Sequence, residues 1–137
     1  IDNYTAMGDV LKTSMFEWKV TSKQKRNSIT SDGLTLLDPK EGQSYLVIYL
    51  EAKNVDSESR TFSDDGILWI RPTGKKKMIQ YDNSETVFTD NFNLTMQTVN
   101  PFITAKRKVV FAVPDGLEGE HFYQPPRASS KERIKIS

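Results

Sequence analysis

The sequence contains no cysteine and a single histidine among its 137 residues. Without cysteine there are no disulfide bonds, no thiolate metal ligands and no cysteine nucleophile. No apolar run approaches the ~18 residues that a membrane-spanning helix requires, since the longest covers residues 45–50 only. No glycine-rich phosphate-binding motif occurs either, which removes the usual sequence support for nucleotide binding.

The chain also lacks an excess of charge of either sign. It has 19 basic and 18 acidic side chains and a net charge of +1. This balance provides little long-range attraction to nucleic acid or to an anionic membrane surface, so neither is expected as a partner. The length fits one domain over residues 1–137, and residues 1–8 are expected to form a flexible N-terminal tail. Because the chain begins at Ile1 and not at methionine, we expect that a leader has been removed.

What the sequence does contain is a series of short strand patterns separated by turn residues. Residues 16–20 alternate between apolar and polar side chains, residues 45–55 are apolar on both faces at one end, and residues 106–113 form a third strand. About seven such strands and no long helix predict an all-β, immunoglobulin-like antiparallel Greek-key sandwich, with a small β-barrel as the alternative. Residues 23–32 are mostly polar and predict a loop. The predicted core residues are Trp18, Leu46, Ile48, Leu50, Val109 and Phe111.

Several segments together resemble a known family. Residues 41–54 form a strand led by Gly-Gln-Ser-Tyr and closed by Lys-Asn, and Arg-Thr-Phe-Ser follows at 60–63. Asn-Pro-Phe at 100–102 precedes Lys-Arg-Lys-Val-Val-Phe-Ala-Val-Pro at 106–114. These motifs resemble the immunoglobulin-like domains of unknown function found in bacterial envelope lipoproteins. The resemblance implies an extracytoplasmic location on the outer face of the cell membrane of a Gram-positive bacterium, attached only through a lipid anchor outside this chain.

The resemblance supplies no catalytic residue, no cofactor and no metal ligand, because its motifs consist of core and turn residues. One departure from the family pattern stands out. Family members often have glycine after the Asn-Pro of the late turn, whereas this chain has Phe102. A phenylalanine at this turn is therefore expected either to pack against the domain or to contact a partner.

The residues also argue against catalysis. The single histidine, His121, has no serine elbow or cysteine nearby in sequence, and we expect a loop histidine and not an enzyme. Aspartates at 64–65 and the acids Asp82, Glu85 and Asp90 offer oxygen atoms of the kind that calcium prefers, but they match no calcium-binding loop and are typical of turns. A hydrolase that uses a pair of carboxylates is the third hypothesis, after the two binding functions described next.

Contact with a partner is the leading functional interpretation. The candidate contact residues are Phe102 in its turn, together with Phe122, Tyr123 and Arg127, because aromatic rings and arginine dominate binding surfaces. A simpler interpretation is that Phe122 and Tyr123 cover the edge of a sheet. The sequence thus predicts a non-catalytic interaction module of a cell-envelope lipoprotein, whose partner is another envelope protein or a wall component. The alternative is a small-ligand or carbohydrate-binding β-sandwich.

Overall fold

The computed structural model describes residues 4–83, 87 and 91–137. In this part of the chain the regular structure consists of strands, and no helix in it is long and apolar enough to cross a membrane. The strands are β1 (Thr5–Ala6), β2 (Val10–Lys12), β3 (Phe16–Arg26), β4 (Ile29–Ser31), β5 (Leu34–Leu37), β6 (Gln43–Asn54), β7 (Arg60–Thr61), β8 (Ile67–Pro72), β9 (Ile79–Asp82), β10 (Thr98–Val99), β11 (Thr104–Pro114), β12 (Gly119–Gln124) and β13 (Ile134–Lys135).

Two larger sheets form the framework. The first has the strand order β11-β6-β3-β2, and the second has the order β1-β13-β12-β8-β9. The chain forms β3 and β6 in the first sheet, crosses to β8 and β9 in the second, returns for β11, and ends with β12 and β13 in the second. This is the immunoglobulin-type Greek-key order, so the predicted all-β sandwich is confirmed. The described residues contain 13 strands and not about seven, because short ribbons and edge strands supplement the seven framework strands.

The main core lies between the two sheets. All six predicted core residues are buried there, together with Ile70 of β8 and Tyr123 of β12 from the facing sheet. Strand β6 supplies alternate residues to this core because successive side chains of a strand point to opposite faces. Its central position is fixed by antiparallel pairing with β11 on one side and β3 on the other.

A second apolar cluster covers the other face of β6. Tyr45 and Val47 pack there with Ile29 of β4, with Val110 of β11 and with Phe92, which lies between β9 and β10. This explains why the first half of β6 is apolar on both faces, as the sequence pattern indicated. The Tyr45 hydroxyl group donates a hydrogen bond to the carbonyl oxygen of Asp38 at 2.9 Å, so its polar end is satisfied although the residue is buried.

Two predicted segments differ from the structure. Within the predicted tail, Thr5 and Ala6 form β1, which pairs in parallel with Ile134 and Lys135 of β13. In the predicted loop over residues 23–32, β3 continues through Arg26 along β6, with an irregularity between Val20 and Ser22. Backbone pairing to β6 holds these residues in a strand although most of their side chains are exposed and polar.

Candidate functional site

The most distinctive surface feature is a tight turn between β10 and β11, formed by Asn100, Pro101, Phe102 and Ile103 and called here the 100–103 turn. The amide of Ile103 donates to the carbonyl oxygen of Asn100 at 3.2 Å, which closes the turn. Proline at the second position and a positive φ at the third are the features of a type II turn. The turn places Phe102 at its tip, where the residue is 65% exposed.

The 100–103 turn is held against the end of β6 by Asn54. The amide of Phe102 donates to the Asn54 carbonyl oxygen at 2.8 Å, and the Asn54 amide donates to the carbonyl oxygen of Ile103 at 3.0 Å. The Asn54 side chain is buried, and its Nδ2 donates to the carbonyl oxygens of Glu58 and Val99 at 2.8 and 2.9 Å. The tip of the turn is therefore presented on a backbone that is fixed on both sides.

The backbone of Phe102 is strained. Its φ is 62°, in the left-handed region that costs an L-residue about 1–2 kcal/mol. Glycine adopts this conformation without a steric penalty, and glycine is the residue that the third position of a type II turn favours. Phe102 thus combines an exposed aromatic ring with an unfavourable backbone conformation.

Two of the four predicted contact residues are buried, which corrects the prediction. Tyr123 faces the core between the sheets, where its hydroxyl group donates to the carbonyl oxygen of Asp65 at 2.8 Å. Complete burial raises the pKa of Tyr123 well above its ordinary value, so the phenol stays protonated as this donor. Phe122 lies on the opposite face of β12, covered by the Tyr4 ring at 4.4 Å and by the Arg71 guanidinium group at 5.4 Å. Neither ring is available to a partner.

Arg127, the fourth predicted contact residue, is exposed. Its Nη2 donates to the carbonyl oxygen of Thr61 at 2.8 Å. The 100–103 turn is joined to the same segment of chain, because the Ser59 hydroxyl group donates to Oδ1 of Asn100 at 2.8 Å. Arg127 and Phe102 are therefore both fastened to the segment around β7, through different residues.

Among the exposed apolar residues that the sequence analysis did not single out, Ile103 and Met96 are the two nearest in the chain to Phe102. Ile103 follows Phe102 in the turn and is 55% exposed, so the turn offers two adjacent apolar side chains. Met96 is 74% exposed and has a φ of 65°. The position of Ile103 next to a phenylalanine in a turn was a usable signal, whereas nothing local in the sequence marks Met96.

Asp65, one of the acidic residues considered as a calcium ligand, accepts hydrogen bonds from its own domain. One oxygen of Asp65 accepts hydrogen bonds from the amides of Leu94 and Thr95 at 2.7 and 2.8 Å and from the Thr95 hydroxyl group at 2.8 Å. Its other oxygen accepts from Nδ2 of Asn83 at 2.5 Å. Among the described residues, no group of three or more histidine or acidic side chains is arranged to hold a metal ion. Glu85 and Asp90 lie outside the described residues.

Gly66, next to Asp65, occupies a position that only glycine fits. Its φ is 86°, and an added Cβ would come within 2.6 Å of the Gln124 carbonyl oxygen and 2.8 Å of the Tyr123 hydroxyl oxygen. The neighbouring Asp64 accepts a hydrogen bond from the Gly66 amide at 2.8 Å, as is typical of an aspartate that begins a turn. The turn at residues 64–66 therefore docks closely on β12.

His121 lies in strand β12, whereas the sequence predicted a loop. Its Nδ1 is 3.0 Å from the carbonyl oxygen of Gly119. Burial lowers the pKa of His121 below its ordinary value, the Gly119 carbonyl group opposes this shift, and Lys23 and Lys25 lower the pKa further. The ring is consequently mostly neutral at about pH 7. Its contact with a backbone carbonyl group is a structural one.

Comparison with solved structures identifies a class of protein. The fold is similar to that of an uncharacterized β-sandwich protein from Clostridium difficile 630, with a TM-score of 0.66 and 12% identity over 99% of this chain and 95% of that chain. It is also similar to a conserved hypothetical protein from Bacillus anthracis, with a TM-score of 0.63 and 14% identity over 97% of this chain and 95% of that one. The chain thus shares the fold of β-sandwich proteins of unknown function.

A third similar structure is the yjhA protein from Bacillus subtilis. The TM-score is 0.53, with 12% identity over 97% of this chain and 99% of that chain. At this identity the similarity is one of fold. It supports the β-sandwich that the sequence resemblance implied, and it carries no information about an envelope lipoprotein. No family model matches the chain. No curated protein matches it either.

Proposed function

We propose that this chain is a non-catalytic interaction module of a bacterial cell-envelope lipoprotein, and that it contacts another envelope protein or a wall component through the 100–103 turn. The module would lie on the outer face of the cell membrane of a Gram-positive bacterium, tethered by a lipid anchor outside this chain. The location rests on the sequence resemblance alone. The contact surface rests on the geometry of Phe102.

The observation that carries the proposal is an exposed phenylalanine held in a strained conformation at the tip of an anchored turn. Backbone strain concentrates at functional positions, where the surrounding structure imposes it. Because the backbone of the turn is already fixed, little backbone entropy is lost on binding, and phenylalanine and isoleucine together offer apolar area to a partner. Sandwich domains commonly use loops at their ends in this way, because the sheets hold the loops rigidly.

The non-catalytic part of the proposal rests on the environment of the groups that could react. The His121 ring contacts a backbone carbonyl group, and the Asp65 carboxylate is occupied by four hydrogen bonds from its own domain. A general base must instead reach the proton of a nucleophile or substrate. His121 and Asp65 are two of the groups that the sequence left open for catalysis or metal binding; of the others, Glu85 and Asp90 lie outside the described residues.

Carbohydrate recognition, the alternative from the sequence, receives less support. Sugar-binding surfaces expose flat aromatic rings, yet among the described aromatic residues Phe102 alone is mostly exposed, whereas Tyr4, Tyr49, Trp69 and Tyr81 are half-buried. Trp69 is partly buried, lies 4.4 Å from the Arg133 guanidinium group, and donates its indole N–H to Gln124. A lone ring at a turn tip fits a protein or polymer contact better than a sugar-stacking platform.

Site-specific photo-crosslinking tests the proposal even though the partner is unidentified. Position 102 of the full-length protein would carry p-benzoylphenylalanine, which preserves the aromatic side chain, in cells of the producing organism. We expect a discrete ultraviolet-dependent adduct in the envelope fraction, because the ring at the turn tip would lie in the interface.

Leu34 offers a matched control position. It is an apolar residue of β5 that is 68% exposed, similar to Phe102, but it lies outside the proposed surface. Crosslinking from position 34 is expected to give no discrete adduct. Equal adducts from both positions, or none from position 102, would contradict the proposed contact surface. A position-102 adduct confined to the cytoplasmic fraction would contradict the proposed location.

A further inference from the structure

A cavity of about 220 Å³ opens between the two sheets. Its apolar wall is formed by Leu46 of β6 and Val113 of β11 from one sheet and by Ile70 of β8 from the other. These three residues belong to the main core and are 0–6% exposed, so the cavity ends against the core. The volume is below the ~300–1,000 Å³ typical of pockets for drug-sized ligands, which limits an occupant to a small molecule.

The mouth of the cavity is positively charged. Lys23 and Lys25 of β3 line it, with Gln24 between them and His121 on the opposite sheet. Partial desolvation lowers the pKa of Lys23, although the residue as a whole is exposed. No acidic residue is among the described residues that line the cavity. Strand β3 thus turns polar at the point where the two sheets separate, and its lysines flank an apolar interior.

We infer that this cavity binds a small organic anion, a monocarboxylate whose apolar body enters between the sheets and whose carboxylate group meets Lys23 and Lys25 at the mouth. The apolar wall supplies burial for the body of the ligand, and an ammonium group in a partly desolvated position gains from pairing with an anion.

This site is separate from the proposed contact surface. Leu46 pairs with Phe111 near one end of the first sheet, whereas Lys53 pairs with Thr104 next to the 100–103 turn at the other end. The seven-residue separation along β6 corresponds to ~23 Å at ~3.3 Å per residue. The inference therefore goes beyond the proposed interaction function, and each can fail without the other.

Titration of the isotope-labelled protein with hexanoate, followed by amide chemical shifts, tests the inference. We expect saturable shifts at residues around the cavity with a dissociation constant on the order of 1 mM, which suits a ligand of this size. Hexanamide keeps the apolar body without the charge and is expected to bind about fivefold more weakly. Acetate keeps the charge without the body and is expected to cause no saturable shift at the same concentrations.

Paired variants separate the role of the mouth from general charge effects. Lys23→Gln combined with Lys25→Gln is expected to weaken hexanoate binding about fivefold and to leave hexanamide binding unchanged. Lys75→Gln combined with Lys76→Gln removes the same charge from an exposed connection between β8 and β9 and is expected to change neither. All four substitutions replace exposed side chains, so the variants are expected to fold.

A third variant tests the interior. Leu117 lines the cavity and is only partly buried, so Leu117→Trp is expected to fill the space and abolish hexanoate binding. The inference would be overturned if hexanoate and hexanamide bound equally, if hexanoate caused no saturable shifts, or if both lysine pairs had the same effect. Undiminished binding to Leu117→Trp, shown to be folded by its amide spectrum, would also overturn it.

Discussion

Replacing Asp65 with alanine is expected to lower the free energy of unfolding by about 3–5 kcal/mol. The buried carboxylate accepts hydrogen bonds from the backbone amides of Leu94 and Thr95, from the Thr95 hydroxyl group and from Asn83. Alanine would leave these donors without their acceptor, at about 1–3 kcal/mol for each buried group that stays unsatisfied. The loss is large relative to the ~5–15 kcal/mol by which most domains are stable. Urea unfolding measures it directly.

Asp64→Ala is the matched control. It removes the same side chain one residue earlier, where the carboxylate is exposed and accepts a hydrogen bond from the Gly66 amide. A destabilisation below about 1 kcal/mol is expected for such a turn contact. If the two variants lost similar stability, the account of Asp65 as the residue that fastens residues 94–95 to the 64–66 turn would be wrong.

Ile48→Ala is expected to destabilise the domain by about 2–5 kcal/mol, the usual range for truncating a buried aliphatic side chain. Ile48 is fully buried in the main core and lies in the middle of β6, between β3 and β11. Its truncation would leave a cavity where both sheets meet. Urea unfolding measures this loss as well. An unchanged m-value, the slope of the free energy of unfolding against urea concentration, would show that only the stability has changed.

Ile79→Ala serves as the control for Ile48. Ile79 is the same residue type in a strand, but it lies in β9 at the edge of the second sheet and is 42% exposed. Its truncation is expected to cost less than about 1 kcal/mol, since less apolar area is lost from contact. A near-zero effect of Ile48→Ala would mean that the assigned face of β6 is wrong.

Alternation along single strands was enough to predict the core. In β6 and β11 the apolar residues of one parity face the second sheet, so Ile48 and Val109 could be assigned from the pattern of each strand, whatever the topology. The second apolar face of β6 also showed in the sequence, although the residues that cover it come from distant segments. These strands are long and regular, which is where pattern reasoning is most informative.

The burial of Phe122 on β12 could not be predicted in this way, and the reason is the same one that made the prediction of a flexible N-terminal tail wrong. Phe122 faces away from the core, and its ring would be more exposed without the segment that precedes β2. Instead, β1 folds back along β13 and places Tyr4 on the Phe122 ring. This contact joins the two ends of the chain, and nothing in either segment signals it locally.

The sequence singled out Phe102 by its departure from the family pattern and left open whether the ring packs against the domain or contacts a partner. Asn-Pro begins a tight turn, and the residue after proline in a type II turn has a positive φ. The structure places Phe102 at this position and at the surface, with a φ of 62°. The cavity was not predicted, because its walls come from both sheets and its lysines resembled an ordinary polar loop.

The most direct test of the central claim is the free energy of unfolding of Phe102→Gly compared with that of Phe102→Ala. If Phe102 is kept for contact at the expense of stability, glycine should relieve about 1–2 kcal/mol of backbone strain, partly offset by about 0.5–1 kcal/mol of chain entropy. A net gain of about 0.5–1 kcal/mol over the wild type is expected. Alanine removes the ring but keeps the strain, so its stability should stay close to that of the wild type. A loss of stability in both variants would instead show that the Phe102 ring stabilises its own domain, and would contradict the claim.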